Sequence, residues 1–263
     1  MRMRPTVAVT FLTATLSASV LPATAYAADP AVADSTTFSH VVVNSGKDIV
    51  LGPTTRKTVT ITWTAQDPEG ITASWAYLWH GPNTDDADGI LPQYPPTGTC
   101  VVSAADPTTS ACKVSFTVDA VGDLDHNALA GTWKVLAGAQ DTSDDWTETD
   151  VAGTADIKRS AKVTVNASPE PVKKGRTITV TGKLTRANWE SNSYTGYQGR
   201  PVQLQFRKKG SSVYTALKTV TRGSGGSLKT TVKARTDGYF RFVFTGTATT
   251  GPATAAGDFV DVR

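Results

Sequence analysis

After its first 27 residues, this chain of 263 has almost no helical pattern. No long segment repeats apolar side chains at i, i+3, i+4 and i+7, so a helical bundle or an alternating α/β fold is excluded. Cysteine is scarce, with two in the whole chain, Cys100 and Cys112. That is too few for a disulfide scaffold, so packed cores must hold the fold. Histidine is nearly as scarce, and His40, His80 and His126 are each isolated. There is no His-Glu-x-x-His pair, no Gly-x-Ser-x-Gly elbow, no phosphate loop and no dinucleotide fingerprint. With no nucleophile–base or metal–base arrangement in sight, the chain reads as a non-enzyme. A glycosidase carboxylate pair leaves no local signature in sequence and is the one hydrolase reading left open.

A long hydrophobic run is also missing. The apolar stretch from Val7 to Leu21 is about 15 residues and carries Thr and Ser, short of the ~20 needed to span a bilayer. Arg2 and Arg4 precede it, and the small-x-small triplet Ala25-Tyr26-Ala27 follows. Residues 1–27 therefore read as a cleaved signal peptide, with export to an extracellular, oxidising compartment. No cysteine follows closely enough for a lipoprotein. The last residues, Asp258 to Arg263, carry neither a hydrophobic tail nor a wall-sorting pattern. In an oxidising compartment Cys100 and Cys112 are expected to form one disulfide, closing a short loop around Pro107.

What the chain does have is charge, and it is segregated. From Ala28 to Ile157 there are 5 Lys/Arg against 18 Asp/Glu, a net of −13. From Lys158 to Arg263 there are 19 Lys/Arg against 5 Asp/Glu, a net of +14. The switch places a boundary near Lys158-Arg159-Ser160. No Gly/Ser- or Pro-rich linker lies there. The expected organisation is a signal peptide (1–27), an acidic domain (28–159) and a basic domain (160–263), joined with little freedom.

Both halves alternate with period 2 in short runs rich in Val, Thr, Ile and aromatics, separated by Gly, Pro and Asp. Val59, Ile61, Trp63 and Ala65 share one face. Cys112, Val114, Phe116 and Val118 share another, as do Trp133, Val135 and Ala137. In the basic half the rows are Ile178/Val180/Leu184, Val202/Leu204/Phe206 and Phe240/Phe242/Phe244. Short strands with one apolar and one polar face predict an all-β fold of two antiparallel β-sandwiches.

Four surfaces are candidates for function. Asp85, Asp86 and Asp88, then Asp123, Asp125 and Asn127, then Asp141, Asp144, Asp145 and Glu148 crowd hard oxygen ligands into loops, which suits Ca²⁺. Neither of the first two fits an EF-hand: Pro95 and Lys134 stand at the two positions that need a bidentate Glu. Asp also favours turns for its own backbone hydrogen bonds, and that plainer reading is preferred, with no cofactor expected. Trp75, Tyr77 and Trp79 face solvent if Leu78 faces the core, forming a platform for a glycan or another protein. Trp189, Tyr194 and Tyr197, with Asn188, Asn192 and Gly196, form a second candidate contact patch, although ordinary packing is the plainer reading for most of these rings. Finally Lys229, Lys233 and Arg235 share one strand face, while Lys173, Lys174 and Arg176 precede another strand. These would attract polyanions such as wall polymers. Residues 28–263 net only +1, which argues for a solvated face instead, and no motif for specific nucleic-acid recognition is present. The opposite charges also allow the acidic domain of one molecule to pair with the basic domain of another.

The basic half resembles the Ig-like modules of proteins secreted by GC-rich Gram-positive bacteria. The resemblance rests on residues 163–169 (VTVNASP), 174–184 (KGRTITVTGKL), 202–210 (VQLQFRKKG) and 237–241 (DGYFR). In the acidic half, Asp67-Pro68-Glu69-Gly70-Ile71 and Gly131-Thr132-Trp133-Lys134-Val135 are similar to the D-x-x-G-I and G-T-W-x-V habits of such domains. The resemblance implies tandem Ig-like sandwiches with adhesive, spacing or ligand-presenting roles. It carries no site residues. A secreted binding or structural module is therefore the expected function, with calcium or carbohydrate binding by the acidic domain as the alternative.

Overall fold

The computed structural model describes residues 36–221 and 224–263, so the expected signal peptide lies outside the described residues. The acidic half is formed by β1 (Thr37–Val43), β2 (Ile49–Leu51), β3 (Arg56–Gln66), β4 (Ile71–His80), β5 (Gly89–Leu91), β6 (Thr99–Val102), β7 (Thr109–Asp119), β8 (Gly131–Asp141) and β9 (Trp146–Arg159). The basic half follows with β10 (Ala161–Val163), β11 (Asn166–Ser168), β12 (Thr177–Asn188), β13 (Ser193–Gly196), β14 (Val202–Lys208), β15 (Thr215–Val220), β16 (Ser227–Lys233), β17 (Gly238–Phe244), β18 (Ala253–Thr254) and β19 (Asp258–Val260). The fold is all-β, as the alternation requires. Among the described residues no helix is long and apolar enough to cross a membrane.

In the acidic half one sheet has the order β1-β3-β7-β6 and the other β2-β9-β8-β4-β5. The chain changes sheets between β1 and β2 through a tight turn in which Asn44, Ser45 and Gly46 all have positive φ. The Asn44 amide holds this turn by donating to the Lys47 and Asp48 carbonyls at 2.8 and 3.1 Å. Asn tolerates the left-handed region better than other side chains with a Cβ, which explains its position. β2 then runs parallel to β9, among the described residues the one departure from antiparallel strand pairing in this half. The alternating rows close against one another: Val59, Ile61, Ala65, Leu78, Val118, Trp133 and Val135 are wholly buried. Buried indoles need acceptors. The Trp63 N–H donates to Ser74 Oγ at 2.9 Å, Ser74 donates on to the Gly138 carbonyl at 2.7 Å, and the Trp133 N–H donates to the Leu129 carbonyl at 2.8 Å. Cys100 and Cys112 face each other across β6 and β7 and are joined as a disulfide.

In the basic half β12 is the spine. Its first part pairs with β11 and β16, its last residues with β10 and β13. The opposing sheet is β15-β14-β17-β18, with β19 also on β17. The core here is Phe242, Phe244, Ile178, Val180, Val202 and Leu204, with few polar atoms to satisfy.

The two cores meet at a built junction. β9 passes into β10 through Ser160 alone. Ser160 N donates to the Leu51 carbonyl, and the Ser160 carbonyl accepts from Ala187 N, both at 2.8 Å. Ala187 and Trp189, which follow the boundary in sequence, belong to the hydrophobic cluster of the acidic half and are 0% and 1% exposed. Asn127 ties this segment down: its side chain donates to Asn188 Oδ1 at 2.8 Å and accepts from Trp189 N at 3.1 Å. Arg159 is buried at the same place, and its Nε donates to the Ala187 carbonyl at 2.6 Å. Burial, and then the neighbouring Arg186 cation, push its pKa down to about 10, so the guanidinium stays charged at neutral pH.

Candidate functional site: an aromatic groove on the acidic half

β4 presents Ser74, Ala76 and Leu78 to the core, each 0% exposed. Trp75, Tyr77 and Trp79 therefore project from the opposite face, as expected if Leu78 points inward. They do not form a uniform row. Trp79 is only 2% exposed. The Lys134 ammonium sits 3.9 Å above its ring, and its N–H donates to the Asp150 carbonyl at 2.6 Å. A lysine stem lying over an indole buries the ring while keeping the charge wet, and this removes Trp79 from the platform.

Trp75 and Tyr77 remain partly exposed, and a third ring joins them. The β8–β9 hairpin sets Trp146 opposite Gln140 and Glu148 opposite Gly138. Gly138 also pairs with Trp75 across β4 and β8. A Cβ at position 138 would overlap the Trp75 indole, so glycine is what lets that ring lie on the sheet. Trp146, 71% exposed, packs edge-on against Trp75 with centroids 5.8 Å apart and planes at 73°. The Trp75 N–H donates to Glu148 Oε1 at 2.9 Å, which fixes both the indole and the carboxylate. Tyr77 lies beside Glu148 and Asp150. Partial burial first, and those two carboxylates second, push its hydroxyl pKa up. Across the opening, Thr97 bridges to Trp75, and the following Gly98 N–H donates to the Ser74 carbonyl at 2.7 Å. With Pro95 these residues enclose an open groove of about 360 Å³. Tyr94, next to Pro95 in the chain, is 85% exposed.

Two ring faces at a steep angle, with a fixed carboxylate and a threonine beside them, suit a ligand with apolar C–H faces and hydroxyl donors. Two tryptophans with free surface are what such stacking needs.

The other candidates from sequence fare differently. The Asp-rich loops are occupied by their own turns. Asp86 N donates to Asn83 Oδ1, and Asp88 pairs with His80 at 2.5 Å. Asp141 Oδ1 accepts from Ser143 N and Asp145 N at 2.8 and 3.0 Å. Asp123 accepts from Asp119 N, Asp125 pairs with His126, and Asn127 is taken up at the junction. Asp144 accepts from the Gln140 amide, and Glu148 faces the groove. Among the described residues no three His, Cys, Asp or Glu side chains come together as metal ligands. The second aromatic candidate is mostly packed, the plainer of its two readings. Trp189 is inside the acidic core, and Tyr197 is 6% exposed against Phe244. Only Tyr194 is part-exposed, with Lys162 over its ring at 4.0 Å. A polar-looking segment rich in Asn and Ser hid an interface anchor. On β16, Lys229, Thr231 and Lys233 do face solvent, and Arg235 is exposed just beyond the strand. Lys173, Lys174 and Arg176 are exposed as well. Trp146 and Glu148 were within reach of sequence reasoning. The run of Asp and Ser between 141 and 145 is a hairpin turn, and its register puts both beside Trp75.

No family model matches this chain, and no curated protein does. Solved structures of similar topology include fibronectin(III)-like modules of Clostridium thermocellum CbhA, at 13% identity and TM-score 0.34, covering 84% of this chain and 92% of that one. The full ectodomain (Ig1–Ig3) of mouse nectin-like molecule 4 is similar at 17% identity and TM-score 0.29, covering 86% and 65%. Red sea bream transglutaminase is similar at 12% identity and TM-score 0.31, covering 87% of this chain and 31% of that one. The aromatic groove stands on its own geometry.

Proposed function

We propose that this chain is a secreted, non-enzymatic binding module of two Ig-like sandwiches, and that its acidic half contacts a glycan through the Trp75–Tyr77–Trp146 groove. One observation carries the reading: three aromatic rings stay accessible around a fixed carboxylate, Glu148, on a sheet face where the neighbouring Trp79 is deliberately covered. Accessible indoles cost solubility, so their retention beside a shielded one supports a contact role. Secretion is supported by the basic, apolar and small-residue order of residues 1–27 and fits the disulfide.

The test is tryptophan fluorescence of the full chain titrated with a panel of neutral oligosaccharides. Quenching or a blue shift is expected for at least one glycan, and Trp146→Ala is expected to weaken it by roughly tenfold, the scale of one lost aromatic contact of 1–1.5 kcal/mol. If no glycan perturbs the emission, or if Trp146→Ala and Trp75→Ala bind as the parent does, the groove is not the contact site.

A further inference from the structure

The basic half is closed at the junction and open at its other end. Along β14, the inward side chains Val202 and Leu204 are wholly buried, but the next, Phe206, is only partly so. Along β16, Leu228 is 4% exposed, while Thr230 and Val232 are only half-buried. Val202 lies opposite Val220, and Phe206 opposite Thr215 and Phe240; Phe206 and Val232 line one and the same opening, so both gradients run the same way. β15 loses register at Leu217, which leaves that side chain 45% exposed. β15 and β16 are therefore edges of opposing sheets that part toward the distal end. Gly238 lies against the Phe206 ring, where any Cβ would overlap it, so the ring is held in place at the wall.

The result is a cleft of about 440 Å³. Its wall is Phe206, Leu217, Val232 and Phe240, and its rim is Lys218, Lys233 and Arg235. None of the residues lining it is acidic. Lys218 spans the edges by donating to the Thr231 carbonyl at 2.6 Å, which leaves further ammonium protons for a ligand. Among the described residues Lys233 and Arg235 make no ion pair. The volume falls within the range of small-molecule sites, about 300–1,000 Å³.

An apolar wall alone would not name an occupant, but three cations around it do. We propose that this cleft holds a single-chain anionic amphiphile, its hydrocarbon between β15 and β16 and its carboxylate or phosphate at Lys218, Lys233 and Arg235. A carboxylate or phosphate takes charge-assisted hydrogen bonds from all three, and the Arg235 fork can bind it bidentately. A cleft this small takes one chain end, so the committed occupant is a free amphiphile and not a bilayer surface. The site is independent of the aromatic groove, and either can fail alone.

The experiment is isothermal titration of the full chain with dodecanoate below its micellar concentration, beside dodecyltrimethylammonium and butyrate. Dodecanoate is expected to bind at one site. The cationic amphiphile is expected to bind at least about tenfold more weakly, the size of one lost charge-assisted hydrogen bond. Butyrate, which has the charge without the chain, is expected to give no heat. Lys233→Glu/Arg235→Glu, both at exposed positions, is expected to lower dodecanoate affinity by about tenfold or more with an unchanged melting temperature. Lys233→Gln serves as the milder variant should the double reversal disturb folding. Equal affinity for the two head groups, or undiminished binding in both variants, overturns the proposal. So does binding to phosphatidylglycerol vesicles without binding to monomeric dodecanoate, which would make the basic end a membrane-contact surface.

Discussion

The two halves are built on the same plan and solve opposite problems. The acidic core is made around indoles, Trp63 and Trp133, and each N–H must find an acceptor inside. The basic core is made around Phe240, Phe242 and Phe244, which ask for nothing but packing. The acidic half leaves its apolar surplus outside, as the Trp75–Trp146 pair on a sheet face. The basic half leaves its surplus at the mouth between its sheets, at Phe206 and Leu217. The opposite charges do not draw the halves together. Among the described residues, the ion pairs that cross the charge switch are those of Lys158, with Asp48 at 2.8 Å and Asp156 at 3.2 Å. The junction is held by an inserted tryptophan and main-chain bonds. Charge sign and domain contact are thus separate properties of this chain, and screening over about 8 Å explains why only facing residues would count.

The sharpest way to break that contrast is at Trp189, a basic-half residue in the acidic core. Trp189→Ala is expected to destabilise the acidic half by about 3–5 kcal/mol, as for other buried tryptophans. Calorimetry should show its unfolding shifted down by roughly 10 °C and separated from that of the basic half. Trp189→Phe should lose far less. Among the described residues the buried indole N–H has no partner, so phenylalanine removes an unpaired donor while keeping most of the ring. If Trp189→Ala leaves one unshifted transition, the halves are not coupled through this residue.

Removing the disulfide by Cys100→Ser/Cys112→Ser comes next. It closes a short loop, so about 3 kcal/mol is expected, again from the acidic half alone. Urea unfolding followed by tryptophan fluorescence reads this directly, because all six tryptophans lie in or on the acidic half. A change in the basic half, read by the amide signals of Phe240 to Phe244, would contradict the separation of the two cores.

Where sequence reasoning succeeded and failed follows the same divide. The rows Val59/Ile61/Trp63 and Phe240/Phe242/Phe244 were legible because a strand with one buried face repeats every second residue. The outward turn of Trp75 and Tyr77 followed from Leu78 by the same rule. The covering of Trp79 did not, because Lys134 comes from a neighbouring strand 55 positions away in sequence. The place of Trp189 in the acidic core is hidden for a related reason. Its local surroundings, Asn188, Ser191, Asn192 and Ser193, are polar, and only the path of the chain back across Asn127 reveals it as core. The cleft at Phe206 was invisible, since an alternating row gives no sign of where two sheets stop touching.

Gly138→Ala would sharpen the outer-face comparison at moderate cost. The added methyl displaces the Trp75 indole, an overpacking expected to cost about 1–3 kcal/mol. It should also loosen the Trp75–Glu148 bond and reduce glycan-induced quenching. Amphiphile binding at the distal cleft should stay unchanged. Loss of both would mean that the two sites are linked through the fold.

The smallest effect is electrostatic and separates charge from packing inside the acidic half. The Asp119 carboxylate accepts from Val121 N at 3.0 Å and from Arg56 Nε at 2.7 Å. The backbone bond first, and Arg56 second, hold its pKa below the usual carboxylate range. A carboxyl whose pKa is lower folded than unfolded binds more protons when unfolded. Its stabilising effect is therefore complete above the unfolded value, near 3.9, and fades as pH falls through the folded one. Arg56→Ala removes the charged prop, so the variant should be slightly less stable than the parent at neutral pH. The urea midpoints of the two proteins should converge as the medium is acidified below about pH 3.9, where the carboxyl is protonated in the unfolded chain and then in the folded one. Midpoints that stay apart in acid would mean that Arg56 acts through the packing of its stem on β3 and not through its charge.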